Sequence, residues 1–256
     1  NIYPLLYNQC VYEAAELYCP SGAFLFGRAG WAGSQRFPVQ WGGDPQADWG
    51  GLAASIRGAQ SWGLSGGPFH ATDIGGFYKD TRDPELYVRW TQAAIFASHI
   101  RFHGIGEREP WAYGQEAEAA VRAALDWRLA LTPYLWRAVT EATRTGLPVQ
   151  RAMALACPDD PAAWSFETQF FCGPDILVAP VIEPGGEVSV YLPAGRWWPL
   201  DGGDPVEGGR VVTLHLGLDQ FAAFVRDGAT IELGPRVDRL DAFGAEPEVT
   251  EQRRFG

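Results

Sequence analysis

Four short apolar runs, each ending at a polar residue within two positions of a glycine, constrain this chain more than any other feature of its sequence. The runs cover 23–28, 37–41, 68–72 and 100–103, and the residues at their ends are Arg28, Asp44, Asp73 and His103. Runs this short, without polar alternation, suit strands covered on both faces, as in a parallel sheet flanked by helices. Helical spacing separates them. Residues 4–19 carry Leu5, Val11, Ala14 and Leu17 and stop at Pro20-Ser21-Gly22; Leu52, Ile56 and Ala59 mark a second helix up to Gly63. Asp83 and Pro84 supply an N-cap and a first-turn proline for a third helix through Phe96, with Leu86, Trp90 and Ala93 facing inward. A long helical stretch follows over 115–145, with a kink expected at Pro133 and a stop at Gly146-Leu147-Pro148. Strand, polar tip and helix in repetition is parallel α/β grammar, and enzymes built this way carry their sites at the carboxyl ends of the strands.

After Pro148 the pattern changes to alternating runs at 188–192 and 211–216, punctuated by Pro-Ala-Gly and Asp-Gly-Gly turns, which reads as antiparallel β. The predicted organisation is α/β then all-β. An α/β unit occupies 1–148, a β domain occupies 149–234, and the β domain packs on the first unit through apolar residues such as Ile176, Leu177 and Val178. Residues 235–256 are charged and aperiodic and are expected to be a frayed tail or the start of a truncated further domain.

Charge and cysteine usage exclude several function classes. Twenty basic against 31 acidic residues give a net charge of −11, which argues against a nucleic-acid partner, because polyphosphate is held by lysine and arginine. No stretch approaches the roughly 18 apolar residues of a membrane span, so no membrane partner is expected. The cysteines, at 10, 19, 157 and 172, lack CxxC spacing and are expected to be free thiols. No histidine sits at ligand spacing from a cysteine, and the Gly-Gly pairs occur without GxGxxG or a P-loop lysine, so neither metal nor cofactor is expected. Free thiols without a leader make the cytoplasm the default compartment. Oligomeric state is not encoded, and a homo-oligomeric parent is as compatible as a monomer. With Met153 the single methionine and a start in mid-element, the sequence reads as a piece of a longer chain.

If the four runs are parallel neighbours, Arg28, Asp44, Asp73 and His103 converge on one rim. Guanidinium and carboxylate groups fork onto vicinal hydroxyls, imidazole adds one more bond, and a carboxylic acid can protonate a glycosidic oxygen, so the set suits sugar chemistry. Trp31, Trp41, Trp49, Phe69, Phe77, Trp111 and Tyr113 lie in or beside the same loops and are candidates for the pocket wall. Taken singly, each residue has a structural explanation. An arginine pairs with a carboxylate, an aspartate in a glycine-rich turn caps backbone, and a tryptophan packs. Joint placement is what favours a site.

The motifs FGRAG (26–30), QWGGD (40–44), TDIGGF (72–77) and RFHG (101–104), continued by LTPYLWRA (131–138), GLPVQRAM (146–153), FFCGPDILVAPV (170–181) and YLPAGRWW (191–198), resemble glycoside hydrolase family 31, the α-glucosidase and α-xylosidase family. The resemblance spans residues 3 to about 234. It implies the C-terminal half of a (β/α)8 TIM barrel followed by a small antiparallel β-sandwich. Position by position it makes Asp44 the general acid/base, and Arg28, Trp41, Asp73, Phe77 and His103 the lining of the subsite holding the sugar to be cleaved. It further implies hydrolysis of terminal α-linked residues, from an oligosaccharide or small α-glycoside, with retention through a second, nucleophilic carboxylate. The family carries that nucleophile in a KxDFGE or DMNE kind of motif just upstream of the region matched, and no such motif occurs here. The parent protein is therefore expected to be active and the isolated chain inactive. The Gly-Gly before Asp44 and the PFHATDIGGF context look more like the α-xylosidase branch, with α-glucosidase second and a non-catalytic carbohydrate-binding or structural fragment as the alternative from another class.

Overall fold

The structure, a computed structural model, describes residues 1–79, 82–237, 243, 244 and 246–256. After helix α1 (Tyr3–Tyr18), extended chain at 24–28 runs beside β1 (Gln40–Trp41), which pairs in parallel with β2 (His70–Ala71). Residues 70–74 are one extended segment. Its β3 (Asp73–Ile74) pairs in parallel with β4 (Arg101–Phe102), so the ladder changes neighbour at Thr72 and four segments lie parallel in chain order. The predicted run 23–28 keeps its ladder bonds, with Gly27 N–H donating to Val39 O (2.8 Å) and Trp41 N–H to Gly27 O (3.1 Å), although its strand character is confined to a bridge at Gly27.

Helices α2 (Trp49–Leu64) and α3 (Pro84–Ala94) make the crossovers, and both start as their sequences dictate. Asp48 Oδ1 accepts from Gly51 N–H (2.7 Å) and Asp83 Oδ1 from Leu86 N–H (3.1 Å), satisfying donors that a helix start otherwise leaves unpaired. The single kinked helix expected over 115–145 is two helices, α4 (Gln115–Ala130) and α5 (Thr132–Thr145). Pro133 sits in the first turn of α5, where its missing N–H costs nothing; inside a continuous helix its ring would clash with the carbonyl four residues back.

The β domain holds a six-stranded antiparallel sheet in the order β10 (Val206–Glu207), β9 (Arg196–Pro199), β12 (Ala223–Arg226), β7 (Ile176–Val178), β6 (Phe170–Cys172), β5 (Gln150–Ala152). Alternation along its central strands sorts the core. Phe170, Cys172, Ile176, Val178, Ala223 and Val225 join the core shared with the helices, whereas Phe171, Leu177 and Phe224 join a second core. That second core is closed by a ribbon of β8 (Glu187–Leu192) and β11 (Arg210–His215), through Val188, Val190 and Leu192. Both faces of the sheet are therefore covered, which is why FFC, ILV and AFV carry no polar alternation. Leu177, expected among the residues facing the α/β unit, points the other way because it lies between Ile176 and Val178 on one strand.

Residues 251–254 depart from the expected frayed tail: β14 (Glu251–Arg254) pairs with β13 (Thr230–Leu233), and Phe255 is buried in the main core. Positions 238–242 and 245 of the same expectation lie outside the described residues. Helix α3 joins the two units. Arg89, 2 % exposed, donates to Leu216 O (3.0 Å), Gly217 O (3.0 Å) and Gln220 O (2.8 Å), and Gln92 donates to Leu218 O (2.7 Å). Among the described residues no helix is long and apolar enough to cross a membrane.

Candidate active site

Parallel register decides which side chains share a face, because partners across parallel strands point the same way and neighbours along a strand alternate. Gln40 and His70 are partners and border α2 on the outer side. Phe26, Arg28, Trp41, Asp73, Arg101 and His103 consequently project from the inner face.

Asp44 lies just past β1, half-buried, with Oδ2 3.5 Å from Arg28 Nη1. Gly43 makes that approach possible. Its φ is +85° and a Cβ there would stand 3.2 Å from Arg28 Nε. The loop after Asp44 is zipped to the loop after Asp73, with Phe77 N–H donating to Pro45 O (2.7 Å) and Ala47 N–H to Tyr78 O (2.8 Å). The second glycine of TDIGGF is required by this contact, since at φ +81° a Cβ on Gly76 would lie 2.3 Å from Ala47 Cα. Buried Arg108 supports the same loop, donating to Gly76 O (2.9 Å) and Phe77 O (3.5 Å). The Phe77 ring is thereby held against His103, centroids 5.4 Å apart.

Asp73 is fully buried. Its Oδ1 accepts from Arg101 Nε, and its Oδ2 has no partner among the described residues. Burial raises its pKa above the ordinary carboxylate value; the hydrogen bond and charge of Arg101 and the charge of His103 oppose the rise, and Asp44 adds to it. Trp41 stacks on Phe26 at 5.3 Å and 11°, and the Arg101 guanidinium carbon lies 4.9 Å from the centre of each ring.

The six predicted residues thus belong to one connected cluster: Arg28 with Asp44, Trp41 and Asp73 joined through Arg101, and Phe77 with His103, whose charge and that of Asp44 both act on Asp73. Three expected wall residues do not join it. Trp49 donates to Asp83 Oδ2 (3.2 Å) at the start of α3, Phe69 is buried in the core, and Tyr113 stacks on Tyr87 at 3.8 Å, so packing claims all three. Trp31 and Trp111 are exposed. Arg101, Phe26 and Arg108 were not anticipated. Arg101 was within reach of the sequence, two residues before His103 in one strand and so on its face; Arg108, reaching back to a loop 31 residues earlier, left no such signal. A hollow of ≈ 590 Å³ lies between β1 and the small-residue side of α2, bounded by Gln40, His70, Ala54, Gly58 and Trp62; it meets the cluster at Arg28, Trp41 and Gly43 but leaves Asp44 outside.

Residues 1–138 match the glycosyl hydrolases family 31 TIM-barrel domain, and residues 146–231 match the glycosyl hydrolase family 31 C-terminal domain. The chain belongs to glycosyl hydrolase family 31. Its parallel segments are part of the family 31 barrel, and the antiparallel sheets are the domain that follows it. An alpha-xylosidase of Emericella nidulans is 37% identical over 250 residues, covering 93% of this chain and 32% of the relative. A probable glucan 1,3-alpha-glucosidase of Oryza sativa subsp. japonica is 39% identical over 222 residues, covering 85% of this chain and 24% of the relative. Among solved structures, the Flavobacterium johnsoniae family 31 dextranase complexed with glucose superposes with a TM-score of 0.86 at 33% identity, covering 92% of this chain and 31% of that one. The chain therefore spans about a third or less of each of these relatives.

Proposed function

We propose that this chain supplies the acid/base half of the active site of a retaining α-glycoside hydrolase that releases terminal α-linked xylose, with Asp44 as the general acid and then the general base. The observation that carries the reading is Asp44 itself, a half-buried carboxylate beside Arg28 on the inner rim, with Arg101 and His103 on the same face. Asp44 protonates the leaving oxygen and later takes a proton from the attacking water, while Arg28 and His103 hold sugar hydroxyls.

Retention needs a second carboxylate about 5 to 5.5 Å away that attacks the anomeric carbon. Two nearby carboxylates are committed elsewhere: Asp73 is buried against Arg101, and Asp48 caps α2 while accepting from Gln46 Nε2 (2.5 Å). This supports a nucleophile carried by sequence outside residues 1–256, as the missing nucleophile motif implies, and an isolated chain that is inactive. The 37% identity to an alpha-xylosidase over 93% of the chain supports xylose first, and the glucan 1,3-alpha-glucosidase relative supports glucose as the second reading. Four free thiols support a reducing compartment such as the cytoplasm.

The test compares this chain with the full-length protein that carries it, on p-nitrophenyl α-xyloside and α-glucoside, with the anomer of the released sugar read by NMR. Hydrolysis by the full-length protein alone, with the α-anomer formed first, is expected. An inverted product, or turnover by the isolated chain, overturns the mechanism proposed.

A further inference from the structure

Arg101 meets a side chain on each of the other three parallel segments. It donates to Asp73 of β3 and lies 4.9 Å from the ring of Phe26, in the extended chain at 24–28, and 4.9 Å from that of Trp41, in β1. Two of these partners, Trp41 and Asp73, each leave a buried polar atom without a hydrogen bond among the described residues. Trp41 Nε1 is buried without a hydrogen-bond partner among the described residues, so no hydrogen bond fixes the indole, and its ring lies against Phe26 and the guanidinium. Asp73 has a single side-chain partner for two buried oxygens. A carboxylate so placed is stabilised in its ionised form by an adjacent cation, and a flat guanidinium covers more of an indole than an ammonium can.

We propose that Arg101 is a positioning residue for the sugar-binding face: it fixes the plane of Trp41, three residues before the acid/base Asp44, and Asp73 serves to hold Arg101 and does not bind the sugar. This rests on the glycosidase reading of the site. Asp73 is fully buried and its Oδ1 is taken by Arg101, which favours a supporting role over contact with a sugar hydroxyl. The charged groups facing Asp73 are Arg101 from β4, His103 just after it, and Asp44 from the loop after β1, the last already paired with Arg28. Without Arg101, His103 is the remaining cation whose charge acts on the buried carboxylate.

The experiment uses the full-length protein and the variants Arg101→Met, Arg101→Lys, Asp73→Asn and Arg101→Met with Asp73→Asn. Two properties are read: kcat and KM on the aryl α-glycosides from pH 4 to 8, and the near-ultraviolet circular dichroism contributed by Trp41, defined as the difference from Trp41→Phe. Arg101→Met is expected to raise KM by about tenfold or more with a smaller fall in kcat, a defect that deepens as pH rises and Asp73 ionises. Adding Asp73→Asn should remove the pH dependence and leave the KM effect. Arg101→Lys should keep the wild-type pH profile, because the charge is retained, and still raise KM, because the flat stack is lost. The Trp41 dichroism should fall in both Arg101 variants. A Trp41 signal unchanged in Arg101→Met, or a loss of activity independent of pH and of Asp73→Asn, overturns the proposal. The dichroism decides it even where neither glycoside is turned over, an outcome that would refute the glycosidase reading separately.

Discussion

At the residue scale, glycines do as much as charges to build the site. Gly76 occupies a left-handed conformation with Ala47 packed against its Cα, so Gly76→Ala is expected to cost about 2 kcal/mol or more and to displace Phe77 from His103. A urea midpoint unchanged in that variant would show that the two loops separate freely. Asp44→Asn, which keeps size and removes the proton, is expected to lower kcat on an aryl α-glycoside by about 10² to 10⁴ in the full-length protein, with the urea midpoint little changed. The residues legible in the sequence were those whose position in a repeating pattern marked them: Arg28, Asp44, Asp73 and His103 each end an apolar run. Burial was not legible. That Asp73 is fully buried and bonded to Arg101, its register partner on β4, is visible only in the fold.

At the element scale, α3 shows why an amphipathic reading can be right and incomplete. Leu86, Trp90 and Ala93 were assigned to its inner side and they are buried, but so are Arg89, Thr91 and Gln92. The helix is covered on its second side by residues 216–220 of the β domain, and a buried polar residue on a helix becomes explicable once the carbonyls it serves are in place. Arg89→Met is expected to destabilise by about 2 kcal/mol, because a buried side chain gives up three hydrogen bonds that tie the two units together. The measurement is urea unfolding followed by tryptophan fluorescence: the midpoint should fall with Arg89→Met and much less with exposed Arg122→Met, whose i,i+4 contact to Glu118 is a surface pair. Equal effects would mean that α3 does not carry the interface. Strand faces in the β domain were unreadable for a related reason, since a sheet covered on both sides leaves no polar residue to mark the outward direction.

For the whole molecule, the two ends of the parallel segments do different work, and histidine reports the division. His99 and His103 flank β4, yet His103 joins the cluster at the carboxyl end while His99 packs at the other end against Phe24 and Phe69, with centroid distances of 5.8 and 6.3 Å. His70 begins β2 and borders α2 on the outer face. Burial lowers the pKa of both His70 and His99 to about 4, and the charge of Arg128 adds to the effect on His99. A histidine that titrates near 6.5 when unfolded and near 4 when folded is bound to more protons in the unfolded state throughout that window. Stability therefore holds above about pH 6.5 and is lost as pH falls toward 4, by up to roughly 3 kcal/mol for each histidine from a shift of about 2.5 units. Asp73 works in the opposite sense, its raised pKa favouring the folded state as pH falls, so the histidine contribution has to be read as a difference. The measurement compares urea midpoints at pH 7 and pH 4.5 for the wild type and for His70→Gln with His99→Gln. Acid should lower the wild-type midpoint clearly and the double variant's much less, and parallel curves would mean that these imidazoles are not buried neutral. His103→Gln is expected to impair hydrolysis by the full-length protein with the urea midpoint at pH 7 little changed, because the carboxyl end of the segments serves the site and the opposite end serves the fold.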